Sequence, residues 1–396
     1  MRCLMRPQKL IPHTPMNIEA TPRPVHSVLS TQGDREGRQE YSNLQSIAHV
    51  LHPLDYRTIF ISLSRLLTVS LALPILAMAG EGEIFREDFE SYSEGPWGDA
   101  AWRFFAVNGA EGEASVAGEA AADGKQGLVL KRSGQVIGDT AFDREGNLVA
   151  TPEGGGAMGL LFDARGTSDP YAVLQVGVGA GATGLAGMEF GLASDQFRTF
   201  YLPFLSPGGP LNLRFGFFQA DMGAHIDNIR IVELGNRIFN GDFREWKWDA
   251  PVGWRAFSVA EGDFSAERDD SDGISGIRIR RSRFSWSDAG LDIPARVRAG
   301  EQMVLKFQSS KGLGADGVGL AVAADLYTKP AGAGEPLLLT SRVVMPQPDI
   351  EETQIEIPPI SDDGFLVISF RPWDETANHA GVGEFLLRNV KLEARP

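Results

Sequence analysis

The chain has 396 residues, of which 43% are hydrophobic, and it contains 46 glycines and 23 prolines. This length allows two or three domains with cores of their own, and the glycine and proline content favours short strands and turns. Residues 1–79 contain eight Lys/Arg and five Asp/Glu, so the remainder carries 29 basic and 47 acidic residues and a net charge of −18. Because so acidic a surface repels phosphate backbones, we exclude nucleic acid as a partner.

Residues 57–79 have the pattern of a signal peptide. Arg57 and Arg65 precede the mostly apolar residues 66–76, and small residues follow at Ala77 and Ala79. A mostly apolar stretch of eleven residues is too short for a membrane span, so we expect cleavage, no stable membrane insertion afterwards, and a secreted product that is extracellular or periplasmic. The alternative is an uncleaved anchor. Residues 1–56 form either a disordered extension or a segment upstream of the true translation start.

After residue 80 the chain repeats itself. Four sequence motifs recur in the same order about 150 residues further on, which predicts two copies of one fold, residues 80–235 and 236–396. The paired motifs are Ile84–Phe89 with Ile238–Phe243, Trp102–Val107 with Trp254–Val259, Gly127–Ser133 with Gly276–Ser282, and Ile226–Ile231 with Leu387–Leu392. Because no linker separates the copies at Gly235, we expect limited freedom between them. We also expect the protein to be a monomer.

Both copies alternate apolar and polar residues, which is the period of a half-buried strand. Leu128 and Leu130 alternate with Val129 and Lys131 in one such strand. Further predicted strands are 171–178, 197–205, 211–219, 303–307, 318–327, 351–357 and 365–370. The pattern predicts an all-β protein with two tandem antiparallel β-sandwiches of the jelly-roll type, in which the first and last strands of each copy pair. The glycine-rich segment 177–187 is interpreted as a flexible connection.

The order of these motifs resembles a known family. Asp88-Phe89-Glu90, then Trp102, then an alternating strand, then Ile226-Asp227-Asn228-Ile229 is similar to carbohydrate-binding modules of families four and nine, which share a galactose-binding-like jelly roll. The resemblance covers residues 83–234 and 237–394. It implies binding of a polysaccharide or oligosaccharide on a concave sheet or at loop tips.

The resemblance also implies one structural calcium ion in the first copy, between its first and last strands. Glu90 and Asp227 are the expected ligands, with Asp88 as a weaker candidate. The alternative is that these carboxylates hydrogen-bond backbone groups. In the second copy Arg244 and Arg388 stand at the matching positions, so we predict no ion there and expect Asp242 and Glu245 to pair with these arginines.

Aromatic residues divide into core and ligand candidates. Trp102 and Trp254 occupy the same place in both copies and are predicted to be core residues. A glycan site needs an exposed ring beside planar polar groups. The candidate glycan-contacting residues are Trp286, Trp373, Asp288, Arg283, Tyr171 and Phe142, with Tyr201 as a further guess. For Trp286 and Trp373, the alternative is a structural role as a lid over the end of a sandwich.

Catalysis is not expected. His225 and His379 are the only histidines after residue 80, and two are too few for a histidine-rich zinc site. The sole cysteine is Cys3, so thiol nucleophiles are excluded from the mature chain. No carboxylate pair stands out as glycosidase machinery. We therefore expect a secreted, non-catalytic glycan-binding protein. The alternatives are an adhesive β-sandwich protein that binds protein or matrix partners, and an enzyme that turns over a glycan.

Overall fold

A computed structural model describes residues 82–395, except for residues 100, 108–109, 134–139, 145–154, 168–171, 194–195, 218–220, 259–262, 284–288, 329–335 and 375–378, and these described residues belong to one compact unit. The predicted extension and signal peptide, together with Tyr171, Trp286 and Asp288, lie outside the described residues. In the part of the chain that is described, no helix has the length and apolar character needed to cross a membrane.

The first sandwich consists of twelve strands and one 3₁₀ turn, Gly118–Ala120. The strands are β1 (Glu83–Glu87), β2 (Gly95–Pro96), β3 (Arg103–Ala106), β4 (Glu111–Ala117), β5 (Gly127–Ser133), β6 (Thr140–Arg144), β7 (Gly156–Gly166), β8 (Ala172–Ala180), β9 (Thr183–Leu192), β10 (Arg198–Ser206), β11 (Asn212–Phe217) and β12 (Gly223–Glu233). Sheet I has the order β10-β7-β12-β5-β4-β2, with β1 also paired to β12, and sheet II has the order β3-β6-β11-β8-β9.

The second sandwich begins with the hairpin β13 (Trp246–Lys247) and β14 (Ala250–Pro251). Its other strands are β15 (Arg255–Ser258), β16 (Phe264–Asp269), β17 (Gly276–Arg281), β18 (Ala289–Val297), β19 (Met303–Lys311), β20 (Gly319–Tyr327), β21 (Leu337–Val344), β22 (Glu351–Ile357), β23 (Gly364–Asp374), β24 (His379–Ala380) and β25 (Gly383–Ala394). Sheet III has the order β15-β18-β23-β20-β21, with β24 beside β23, and sheet IV has the order β16-β17-β25-β19-β22.

The two sandwiches share one topology. Sheet II corresponds strand for strand to sheet III, and sheet I corresponds to sheet IV when the short strands β1 and β2 are set aside. All the pairings are antiparallel, which confirms the predicted fold class of two tandem antiparallel β-sandwiches. The pairing of first and last strands is also confirmed in the first sandwich, where β1 lies beside β12. The second sandwich has no matching strand among its described residues; there, Arg237 and Gly241 hydrogen-bond to β25.

The interpretation of residues 177–187 as a flexible connection is wrong. Gly177 and Gly179 lie in β8, and Gly184 and Gly187 lie in β9, so only residues 181–182 form the turn. Glycine has a low strand propensity, but pairing with β11 on one side and with β9 on the other holds β8 in the sheet.

Each sandwich encloses an apolar core between its two sheets. Trp102 is 1% exposed and stacks on Phe142 at 4.9 Å, and Trp254 is 6% exposed beside Phe243 and Phe370. The predicted core position of both repeated tryptophans is therefore confirmed.

The core of the second sandwich continues across the junction. Leu161, Tyr201 and Val232 project from the outer side of sheet I and are buried in the same apolar cluster as residues of the second sandwich. Tyr201 stacks on Phe239 with ring centroids 5.5 Å apart. The two sandwiches are thus joined by buried apolar surface and not by a flexible linker, as the direct abutment in the sequence led us to expect.

We predict that the two sandwiches unfold in a single cooperative transition, because separating them exposes the shared cluster to water. Differential scanning calorimetry on the mature chain checks this: the calorimetric and van't Hoff enthalpies should agree. Phe239→Ala, which removes the ring stacked on Tyr201, should lower the midpoint. Two well-separated transitions in the unmodified chain would contradict a shared core.

Candidate functional site

The repeated Trp-Arg-x-Phe segment determines what the outer faces of sheets II and III carry. Successive side chains of a strand point to opposite faces of the sheet. Because Trp102 lies in the core, Arg103 and Phe105 project from the outer face of sheet II. By the same alternation, Arg255 and Phe257 project from the outer face of sheet III.

In the first sandwich these side chains meet a buried carboxylate. Asp143 of β6 lies opposite both Arg103 and Arg214 of β11, and the Arg214 guanidinium donates two hydrogen bonds to it at 2.9 and 2.7 Å. The Asp143 side chain is 8% exposed and that of Arg214 is 55% exposed. The same guanidinium lies 5.1 Å from the centre of the Phe105 ring. Arg103 forms no ion pair with any carboxylate that the structure describes.

The next strands of sheet II leave this face open. Gln175 of β8 donates to the Glu189 carboxylate of β9 at 3.0 Å. Beside that pair, Gly177 and Gly187 lie opposite each other, and a methyl group added at either would stand at least 3.7 Å from any other atom. Neither glycine has a positive φ, so the backbone does not require them. They form a floor without side chains, bordered by planar polar groups.

Sheet III carries a related set. The Arg255 guanidinium donates to the Asp292 carboxylate at 2.7 Å, and the Asp292 side chain is only 6% exposed. The guanidiniums of Arg255 and Arg371 lie 5.6 and 5.3 Å from the centre of the Phe257 ring. Trp373 lies two residues beyond Arg371 on the same face of β23 and is half-buried. Each outer face therefore combines an aromatic ring, arginines and a buried aspartate.

Burial and charge shape this second set further. Burial raises the pKa of Asp292, although Arg255 acts in the opposite direction. Burial also raises the pKa of Asp325 on β20. The charge of Arg371 opposes this shift, and the charge of Asp292 adds to it. Asp292, Arg255, Asp325 and Arg371 thus form one electrostatic cluster on the outer face of sheet III. At the opposite end of β23 Phe365 packs against the core of the first sandwich, which limits the accessible face to the part near Ser369 and Trp373.

The structure unites few of the glycan-contacting residues expected from the sequence. Trp373 lies on an outer face, although in a strand and not in the expected turn. Arg283 lies just beyond β17, where its guanidinium pairs with the buried carboxylate of Asp263, so it is not part of either face.

Two of the expected ligand contacts are wrong. Phe142 is 0% exposed because alternation in β6 turns it into the core, between Trp97 and Trp102. Tyr201 is buried at the junction of the two sandwiches, where burial raises the pKa of its hydroxyl. Neither ring is available to a ligand.

Sequence reasoning missed Arg103, Phe105, Arg255 and Phe257, although the signal was in the repeat itself. Once Trp102 is assigned to the core, the residues one and three positions later must face outward. Asp143 and Arg214 could not be found in this way, because only the sheet order brings β3, β6 and β11 side by side.

The expected calcium ligands reach one loop but bind other groups. Glu90 accepts hydrogen bonds from the backbone N–H groups of Lys125 and Gln126, and these bonds lower the pKa of its carboxyl. Asp227 accepts the N–H groups of Ala122 and Asp123 at 2.8 and 3.2 Å. Asp88 accepts the N–H group of Glu90 at 3.2 Å.

Calcium takes six to eight oxygen ligands, whereas these carboxylates hold amide donors. In the described part of the chain, no group of three or more Asp, Glu, His or Cys side chains is arranged to hold a metal ion. The donor arrangement around Glu90 and Asp227 therefore does not fit the ion. Calcium itself stays a prediction that a metal measurement must test.

In the second sandwich one of the expected ion pairs is present and the other is not. Arg244 pairs with Asp242 at 3.1 Å, as expected. Arg388 instead binds the Asp272 carboxylate through two hydrogen bonds of 2.6 Å, because its strand position points it to the loop that precedes β17. Glu245 pairs across the junction with Arg230 at 2.5 Å.

No family model matches the chain, and neither does any curated protein. Among solved structures, the chain is similar to the tandem CBM22-1–CBM22-2 domain of Xyn10C from Paenibacillus barcinonensis, with 14% identity over 80% of this chain and 98% of that one and a TM-score of 0.30. It is also similar to a CBM4 structure, with 15% identity over 37% of this chain and 98% of that one and a TM-score of 0.26. A family 16 carbohydrate-binding module is similar as well, with 20% identity over 30% of this chain and 85% of that one and a TM-score of 0.24. At these TM-scores the likenesses carry no argument, and the fold rests on the strands given above.

We predict unequal losses of stability for Phe142 and Phe105, which lie on neighbouring strands of sheet II but on opposite faces of it. Phe142→Leu should lower the free energy of unfolding by about 1–3 kcal/mol, since it leaves a cavity under Trp102. Phe105→Leu, on the outer face, should change it by less than about 0.5 kcal/mol. Urea denaturation of both variants measures this difference, and an equal loss in both would show that Phe105 is a core residue.

Proposed function

We propose that this chain is a secreted, non-catalytic glycan-binding protein whose ligands lie on the outer faces of sheets II and III. The observation that carries the proposal is the repeated set of an aromatic ring, arginines and a buried aspartate: Phe105, Arg214 and Asp143 in the first sandwich, and Phe257, Arg255 and Asp292 in the second. Secretion is supported by the signal-peptide pattern of residues 57–79.

The chemistry of such a set suits sugars. A pyranose ring presents C–H groups that stack on an aromatic face, and its hydroxyls need donors and acceptors held in fixed directions. The buried Asp143 holds the Arg214 guanidinium in a fixed orientation with two hydrogen bonds, so a planar polar group stands on this face. The floor at Gly177 and Gly187 provides room for a ring beside Arg214, which lies opposite Gly177.

The same pairing supports a binding role over a catalytic one. A glycosidase needs one carboxyl that can donate a proton and another that can act as nucleophile or base. Asp143 accepts two hydrogen bonds from Arg214, and Asp292 is paired with Arg255 through one oxygen, so each carboxylate already serves as the partner of a cation. Release of reducing sugar from a polysaccharide by the purified protein would overturn this part of the proposal.

Two faces in one chain would act together on a repetitive polymer. When one face is bound, the second encounters the same chain at a high effective concentration. We therefore propose polysaccharides as the preferred ligands over short oligosaccharides.

We predict that removing the rings weakens glycan binding without unfolding the protein. Phe105→Ala or Phe257→Ala should each reduce affinity about tenfold, the loss expected from one stacking contact. The double variant should lose about 100-fold or more, because the second site no longer supports the first. Affinity electrophoresis against a panel of polysaccharides measures the retardation, with melting temperatures as the control for folding.

The proposal fails if the folded, unmodified protein is retarded by no polysaccharide in the panel. Retardation that survives in the double variant would move binding away from these faces, to loop tips such as that near Arg283.

Filling the open floor of sheet II should also weaken binding, without removing any contact. Gly177→Leu should place a side chain on this floor and reduce retention, while the melting temperature stays the same or rises because glycine disfavours strands. Gly156→Leu is the matched control, since it also fills open space in a strand but lies in sheet I. Equal retention by the two variants would show that sheet II does not bind the glycan.

A further inference from the structure

Three aspartates converge where the closing strand of the first sandwich meets the loop before β5. Asp163 of β7 lies directly opposite Asp227 of β12, and the two side chains are almost fully buried. The Asn228 amide lies 2.9 Å from the Asp163 carboxylate and 3.4 Å from that of Asp123 in the loop. Buried carboxylates repel each other and lose hydration, so a nearby positive charge stabilises this arrangement.

The positive charge comes from the second sandwich. The ammonium of Lys247, on the hairpin β13–β14, lies 2.7 Å from the Asp163 carboxylate and also hydrogen-bonds Asp123. The Lys247 side chain is 24% exposed and the Asp163 side chain 2% exposed. Burial alone would lower the pKa of Lys247, but the bonds to Asp123 and Asp163 outweigh it and raise the pKa, so the ammonium stays charged.

Neighbouring contacts hold the hairpin in this position. The Trp248 ring lies nearly parallel to Phe197 of the first sandwich, with centroids 6.3 Å apart. One residue before β13, the Glu245 carboxylate pairs with Arg230 of β12. Lys247 is therefore delivered by a segment that is anchored on both sides.

The corresponding place in the second sandwich shows how the charge balance changed. Arg388 stands at the position of Asp227, and Gln308 stands opposite it, at the position of Asp163. Asn389 matches Asn228, since both have a φ near +50° and both donate to the opposite side chain. Here the cation is Arg388 itself, bound to Asp272 in the loop before β17. The second sandwich neutralises this place with its own residues.

We propose that Lys247 is the structural cation of the first sandwich, in the role that the family resemblance assigns to calcium. A side chain of the second sandwich thus takes the place of a metal ion and joins β7 and the loop before β5 to the neighbouring sandwich. This proposal does not depend on glycan binding.

Melting temperatures in EDTA and in about 10 mM calcium chloride test it, a concentration above the weak dissociation constants of extracellular calcium modules. The unmodified protein should melt at the same temperature in both. Lys247→Met keeps the apolar stem but leaves the carboxylates unbalanced, so we expect its melting temperature to fall by about 5 °C or more.

Lys306→Met is the matched control. Lys306 also pairs with a carboxylate at 2.7 Å, that of Glu393, but both side chains are about a third exposed or more, so its loss should shift the melting temperature by about 2 °C or less. Lys247→Arg, which keeps a cation, should recover most of the loss.

Two results would overturn the proposal. A rise of several degrees when calcium is added to the unmodified protein would show that a metal is the cation. A Lys247→Met variant that melts no lower than Lys306→Met would show that Lys247 is an ordinary surface lysine. If Lys247→Met does not fold, the calcium comparison on the unmodified protein still decides between a metal and the ammonium.

Discussion

The pleat of two short strands is the constraint on which the rest of the site depends. A strand cannot bury two consecutive side chains on one face, so placing Trp102 and Trp254 in the cores obliges Arg103, Phe105, Arg255 and Phe257 to face outward. The tryptophans therefore have a structural role, and their burial fixes the outward position of the arginines and phenylalanines that follow them. This accounts for the recurrence of the whole Trp-Arg-x-Phe segment and not of the tryptophan alone.

Charge is arranged differently in the two copies of this fold. On the outer faces, the buried aspartate of sheet II is held by Arg214 of β11, whereas that of sheet III is held by Arg255 of β15. At the closing strands, Asp227 in one copy corresponds to Arg388 in the other. In both places a buried charge keeps an opposite charge or a set of N–H donors, because an unpaired one would cost several kcal/mol. The same requirement ties the first sandwich to the second through Lys247.

Much of the fold could be predicted from the sequence, since it depends on local patterns. Alternation identified β5, β8, β10, β11, β19, β20, β22 and β23, and the repeat indicated a common fold for the two copies. Glycine-rich β9 was missed, because its strand conformation depends on pairing with β8 and not on its own propensity.

The candidate site was largely out of reach of the sequence. Asp143 and Arg214 are 71 residues apart and meet only through the order of strands in sheet II. Lys247 and Asp163 are 84 residues apart and meet only at the junction of the sandwiches. By contrast, the wrong assignment of Phe142 was avoidable: the alternation that places Asp143 on the outer face also places Phe142 inside.

Chemical-shift mapping with an oligosaccharide fragment of a polysaccharide that retards the protein shows where the glycan binds. We expect the largest perturbations on the side chains of Phe105 and Arg214 in sheet II and of Phe257 and Arg371 in sheet III, whose rings and guanidiniums form the outer faces. Perturbations confined to the loops at the ends of the sandwiches, with these four side chains unchanged, would contradict it.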